Sequence, residues 1–124
     1  MFVLMADNVV IQTQPNAEDG FVETDKNPIC GQIEKDGLFK DPKALPITSK
    51  KRDDALKILG VKFKGVMCSA EAEDMWGLAS IKDFIEAGNS TKFVFKNGNT
   101  LTLTPDNIAA FQAIWIPFRL EFFK

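Results

Sequence analysis

The segment Asp41-Pro42-Lys43-Ala44-Leu45-Pro46-Ile47 constrains this chain more than any other. Its two prolines remove two backbone donors and fix two φ angles, so neither a helix nor a central strand runs through it. The fold must be assembled from what lies on either side. We read residues 43–47 as a linker, 1–42 as a β-rich docking or oligomerisation module, and 48–124 as a small α+β module.

Before the linker the pattern has period two, as a half-buried strand requires. Phe2, Leu4 and Ala6 alternate with Val3 and Met5; Val9, Ile11 and Thr13 alternate with Val10 and Gln12. Asp7-Asn8 suits a two-residue hairpin turn with positive φ, which pairs Leu4 with Ile11 and Ala6 with Val9. Residues 14–20 are turn-rich, and 21–24 form a short strand. Residues 29–34 and 38–40 flank Lys35-Asp36-Gly37. A three-residue loop with Gly37 in the left-handed position faces Ile33 with Phe39 and puts both on one side. These elements predict an antiparallel β-meander.

After the linker, Thr48 or Ser49 can cap a helix whose apolar face is Ala55, Leu56, Ile58 and Leu59, with Gly60 as its stop. Residues 61–68 read as a strand pair or a bent strand. Ser69 is the expected cap of a second helix, with Glu71, Glu73 and Asp74 in its first turns and Met75, Leu78, Ile81 and Ile85 as its stripe. Gly88 ends it. Around Lys96-Asn97-Gly98, a three-residue loop sets Phe95 opposite Asn99 and Phe93 opposite Leu101, so that Phe93, Phe95, Leu101 and Leu103 share one face. Thr104-Pro105-Asp106 opens a last helix over 105–116. Its stripe is Ile108, Phe111, Trp115, Phe118 and Phe122. Pro117 is expected to kink or end it near 113–116.

Chemistry has little to build on. The 124 residues contain no histidine, which removes the usual general base and the commonest metal ligand. Neither Cys30 nor Cys68 has a histidine to activate it. Asp53-Asp54 and Glu71-Glu73-Asp74 lack the spacing of a calcium loop and read as solvated or capping residues. We expect no enzyme, cofactor or bound metal. Formal net charge is −2, distributed as −4 over residues 1–45 and +2 over the rest. There is no global basic field to draw nucleic acid, and Lys50-Lys51-Arg52 with Lys57, Lys62 and Lys64 reads as a solvated face. The longest apolar run falls far short of the ~20 residues that span a bilayer. Met1 is followed at once by alternating apolar residues, with no basic stretch or cleavage site, which points to synthesis in a reducing cytosol with free thiols.

Residues 114–123, Ile-Trp-Ile-Pro-Phe-Arg-Leu-Glu-Phe-Phe, are apolar on nearly every side, where a surface helix carries a polar face. Ile116, Leu120 and Phe123 lie off the stripe. We single out Ile116, Phe118, Leu120, Phe122 and Phe123 as a candidate interface, and Gly37, Gly98 and Pro117 as structural turn and break positions.

Two segments together resemble small tail-associated proteins of tailed bacteriophages. The first is Val9–Asn16, then Asp19–Glu23, then the run containing Gly31, Asp36, Gly37, Phe39 and Pro42. The second extends from Arg52–Val66 through Ala72–Leu78 to Phe95–Ile108, and is similar to an uncharacterised domain of tail-fibre and tail-assembly gene neighbourhoods. The resemblance implies a tail structural component or tail-fibre-associated adaptor, made in the host cytoplasm and carried in the virion tail. It implies other tail proteins, or copies of itself, as partners. An assembly chaperone absent from the mature virion, or a small inhibitor of a host enzyme or defence complex, would share the same features. No catalytic residue is implied by the resemblance.

Overall fold

The computed structural model describes residues 1–122. The protein is α+β, and its chain divides into two compact units, residues 1–59 and 60–124.

The first unit contains β1 (Phe2–Ala6), β2 (Val9–Gln14), β3 (Val22–Glu23), β4 (Ile33–Lys35), β5 (Leu38–Lys40) and α1 (Ser49–Leu59). Its five strands form an antiparallel sheet in the order β3-β1-β2-β4-β5. The expected meander is corrected in one respect. Residues 15–21 carry the chain past β1, so β3 pairs with β1, not β2. Asp7 and Asn8 have φ of 52° and 66°, as the first hairpin requires. Ala6 pairs with Val9, but a bulge between Leu4 and Met5 sets Leu4 opposite Gln12 instead of Ile11. The second hairpin also departs from expectation. Asp36 (φ 54°) and Gly37 (φ 79°) make a two-residue turn, so Lys35 pairs with Leu38 and Ile33 with Lys40. Asp36 tolerates the left-handed region, and the Glu34 carboxylate accepts from the Gly37 N–H at 2.8 Å.

The prolines interrupt regular structure, yet the segment between them is no free linker. Pro42–Ala44 form one 3-10 turn, started by Asp41, whose carboxylate accepts from Lys43 N at 2.8 Å. Pro42 and Leu45 are buried, and Leu45 shares a core with Val9, Ile33 and Ala55. Arg52 of α1 donates to the Leu45 and Ile47 carbonyls, each at 3.2 Å. Helix α1 therefore belongs to the first unit, and the boundary falls at Leu59–Gly60 instead of residues 43–47. Thr48 caps α1, its hydroxyl accepting from Lys51 N at 3.2 Å.

The second unit contains β6 (Val61–Phe63), β7 (Val66–Cys68), α2 (Ala72–Glu86), β8 (Thr91–Val94), β9 (Thr100–Leu103) and α3 (Ile108–Leu120). Residues 61–68 are a hairpin turning at Lys64-Gly65. The 96–98 loop has the expected register: Phe95 N donates to Asn99 O at 2.8 Å, Phe93 pairs with Leu101, and Gly98 has φ of 93°. Phe95, Leu101 and Leu103 are buried with Phe63, Ile85, Phe111 and Trp115. Phe63 meets Phe111 edge-on at 5.6 Å, and Phe111 stacks on Trp115 at 6.0 Å. Both helix starts shift from expectation. Helix α2 is capped at Glu71, not Ser69. Residues 105–107 are a turn, held by reciprocal bonds between Thr104 and Asn107, and α3 begins at Ile108. Helix α3 runs through Pro117 to Leu120. The missing Pro117 N–H orphans the carbonyl of Ala113, and Ala113 is exposed, so water can satisfy it. No helix among the described residues is long and apolar enough to cross a membrane.

Candidate functional site

The second unit is organised around a buried carboxylate. Asp74, only 1% exposed, sits in the first turn of α2. One of its oxygens accepts from the Ser69 hydroxyl at 2.7 Å and from Glu71 N at 3.0 Å. The other accepts from Lys96 N at 2.7 Å. Ser69 in turn accepts from Asn97 N at 3.3 Å, and its carbonyl receives the Trp115 indole N–H at 2.9 Å. Asn97 and Asn99 both donate to the Met67 carbonyl, at 3.1 and 2.9 Å. A buried polar group is costly unless satisfied, and here both carboxylate oxygens are. The network ties the end of β7, the start of α2, the β8–β9 loop and α3 together. The acidic cluster is thus split: Asp74 is buried and structural, while Glu73 is exposed, 3.9 Å from the Lys96 ammonium.

Helices α2 and α3, so anchored, leave a groove between them of about 250 Å³. Its floor is core: Leu78, Ile108, Phe111 and Trp115. Met75, Ala79 and Lys82 line it from α2; Gln112, Ile116, Arg119 and Leu120 line it from α3. Among the described residues, the charged ones that line it are Lys82 and Arg119. Lys82 lies 3.9 Å from Glu86 one turn on, both about half exposed, an arrangement worth little energetically.

The candidate interface residues separate here. Ile116 and Leu120 open into the groove, 42% and 56% exposed. Phe118 is half-buried and packs on the core, with Phe122 edge-on to it at 5.2 Å. Phe123 lies outside the described residues. The α2 wall was missed in sequence, although Met75 is on the predicted stripe. Gly37 and Gly98 hold their turns in the left-handed region, while Pro117 neither turns nor ends its helix.

Other candidates resolve into structure. In the first unit a cleft of about 390 Å³ lies between the β1–β2 hairpin and α1. Its charges answer one another: Lys50 meets Asp54 at 2.7 Å, and Lys51 meets Asp7 at 3.5 Å. The hydrogen bond to Asp54 raises the pKa of Lys50. With Arg52 on two carbonyls, the basic stretch is compensated locally. No disulfide joins Cys30 and Cys68; Cys68 is fully buried, and burial pushes its pKa up to about 11. Among the described residues no group of three or more acidic, histidine or cysteine side chains is placed to hold a metal ion.

No protein-family model, curated protein or solved structure matches the chain.

Proposed function

We propose that this protein is an adaptor that acts by protein–protein binding and docks its partner in the α2–α3 groove. One observation carries the reading: Ile116 and Leu120 stand exposed beside a groove whose floor is already packed core. Apolar side chains flanking a pre-formed concavity gain by covering, because the ordering of the site precedes binding. The resemblance to tail-associated proteins supports a phage tail protein as the partner and the virion tail as the destination.

Mass spectrometry of purified virions tests this reading. The protein should be present at a fixed stoichiometry. Ala79→Glu, which sets a charge in the groove from an exposed helix position, should lower its incorporation without unfolding it. Absence from virions would overturn the structural-component reading in favour of an assembly factor or an inhibitor.

A further inference from the structure

We propose that Asn97-Gly98 is a deamidation site that the folded protein holds shut, and that the modification, once made, keeps the β8–β9 loop from closing again. Asn-Gly is the pair in which this chemistry meets least steric resistance, because glycine has no Cβ to hinder attack by its backbone nitrogen. The Gly98 nitrogen loses its proton, and its electron pair forms a bond to the side-chain carbon Cγ of Asn97. The Cγ–Nδ2 bond breaks, and Nδ2 leaves with that proton as ammonia. Water then opens the five-membered ring at either carbonyl, giving aspartate or isoaspartate. One amide and one water are consumed; one carboxylic acid and one ammonia are formed.

The folded loop withholds each participant. Gly98 N donates to the Phe95 carbonyl at 2.8 Å, so its proton is engaged and the nitrogen stays a poor nucleophile. Asn97 Nδ2 donates to the Met67 carbonyl at 3.1 Å, and Oδ1 accepts from Asn99 N at 3.1 Å. Asn97 N donates to the Ser69 hydroxyl at 3.3 Å. The bond from Asn99 polarises the side-chain carbonyl and on its own would favour attack. The side chain is nevertheless tied to β7, and the nucleophile keeps its proton, so attack waits until the loop opens. The rate of a reaction gated in this way follows the population of the open state.

The product does not fit the place the asparagine leaves. Aspartate is ionised at neutral pH, and it presents an acceptor to the Met67 carbonyl where Asn97 presented a donor. It also brings a second carboxylate to the network of Asp74, which Ser69 links to Asn97. Isoaspartate lengthens the backbone by one methylene inside a turn closed by the bond from Gly98 to Phe95. A transient opening of the loop is thereby converted into an irreversible one.

The test incubates the full chain at mildly alkaline pH, in buffer and in strong urea. Peptide mapping by mass spectrometry follows the exchange of the Asn97 amide for a carboxyl. Deamidation at Asn97 should be at least about tenfold slower in buffer than in urea. Ser69→Ala, which removes the acceptor of Asn97 N and leaves Asp74 its two backbone donors, should speed it about fivefold in buffer. The deamidated chain, separated by ion exchange, should have an unfolded-to-folded ratio at least about tenfold higher than the parent in urea titrations. Equal rates in buffer and urea would overturn the gating, as would an absence of modification at Asn97 in urea. Coincident urea transitions of the parent and deamidated chains would overturn the claim that the product prevents closure. Should Ser69→Ala fail to fold, the comparison of buffer with urea still decides the gating.

Discussion

The Asp74 carboxylate accepts a hydrogen bond from the backbone nitrogen of Lys96, 22 residues further along the chain, at 2.7 Å. Helix α2 and the β8–β9 loop are thereby fixed to one another by a short hydrogen bond to a buried carboxylate. Asp74→Asn replaces an acceptor-only group with one that presents N–H to a ring of donors. The change should cost about 2 kcal/mol or more of stability. Urea denaturation followed by tryptophan fluorescence would measure it; a loss within about 0.5 kcal/mol would show that the network contributes little.

Gly31→Ala should be among the most damaging small substitutions in the first unit. Gly31 has φ of 94°, and a Cβ there would collide with the backbone of Leu59 at the end of α1. Left-handed strain and a backbone clash together should cost at least ~2 kcal/mol. Thermal unfolding followed by circular dichroism checks it.

Gly98→Val tests the hairpin register. Gly98 has φ of 93°, and a Cβ placed there would meet nothing within 4 Å, so only conformational strain acts. A β-branched residue there should destabilise by about 1 kcal/mol or more. An unchanged melting temperature would count against the left-handed glycine.

Stability should fall above pH 9 through Cys68. Its thiol titrates at about 11 in the folded protein, against an ordinary value of 9.0. The folded state therefore holds a proton that the unfolded state releases, and the slope is negative between those two values. The contribution is intact below pH 9 and lost as pH approaches 11, on the order of 1–3 kcal/mol. Cys68→Ala should flatten this part of the pH profile, which urea titrations from pH 8 to 10.5 would show. The same burial predicts slow alkylation of Cys68 relative to the half-buried Cys30.

Local chemistry was legible where one turn type fitted the faces. At 96–98 four apolar residues had to share a side, and that demand selected the register. At 36–37 the same reasoning failed, because the three-residue strands β4 and β5 place no such demand: Ile33 is buried while Leu38 is exposed. The prolines at 42 and 46 were read correctly as breaks. That Leu45 and Ile47 would enter a core, with their carbonyls held by Arg52, depends on contacts that periodicity does not encode. Half of the groove was visible as apolar excess at Ile116 and Leu120. Its other wall was not, because Ala79 and Lys82 are ordinary helix residues until the packing of α2 beside α3 makes them neighbours. Asp74, expected to be solvated or capping, does cap α2 by accepting from Glu71 N, but helix-terminal position alone does not reveal its desolvation.

The bond from Trp115 to the Ser69 carbonyl spans 46 residues, and it orders events in time. The Lys64-Gly65 turn closes a loop of a few residues, within microseconds, whereas Trp115 must bring α3 back across α2 and the β8–β9 hairpin. Closing that long loop comes at a late stage of the search. Substitutions in the 64–65 turn should therefore act on the rate of folding. Trp115→Phe, which keeps the ring and removes the donor, should act on the rate of unfolding. The indole bond is thus one of the contacts that set how long the folded second unit, and the groove it builds, persists.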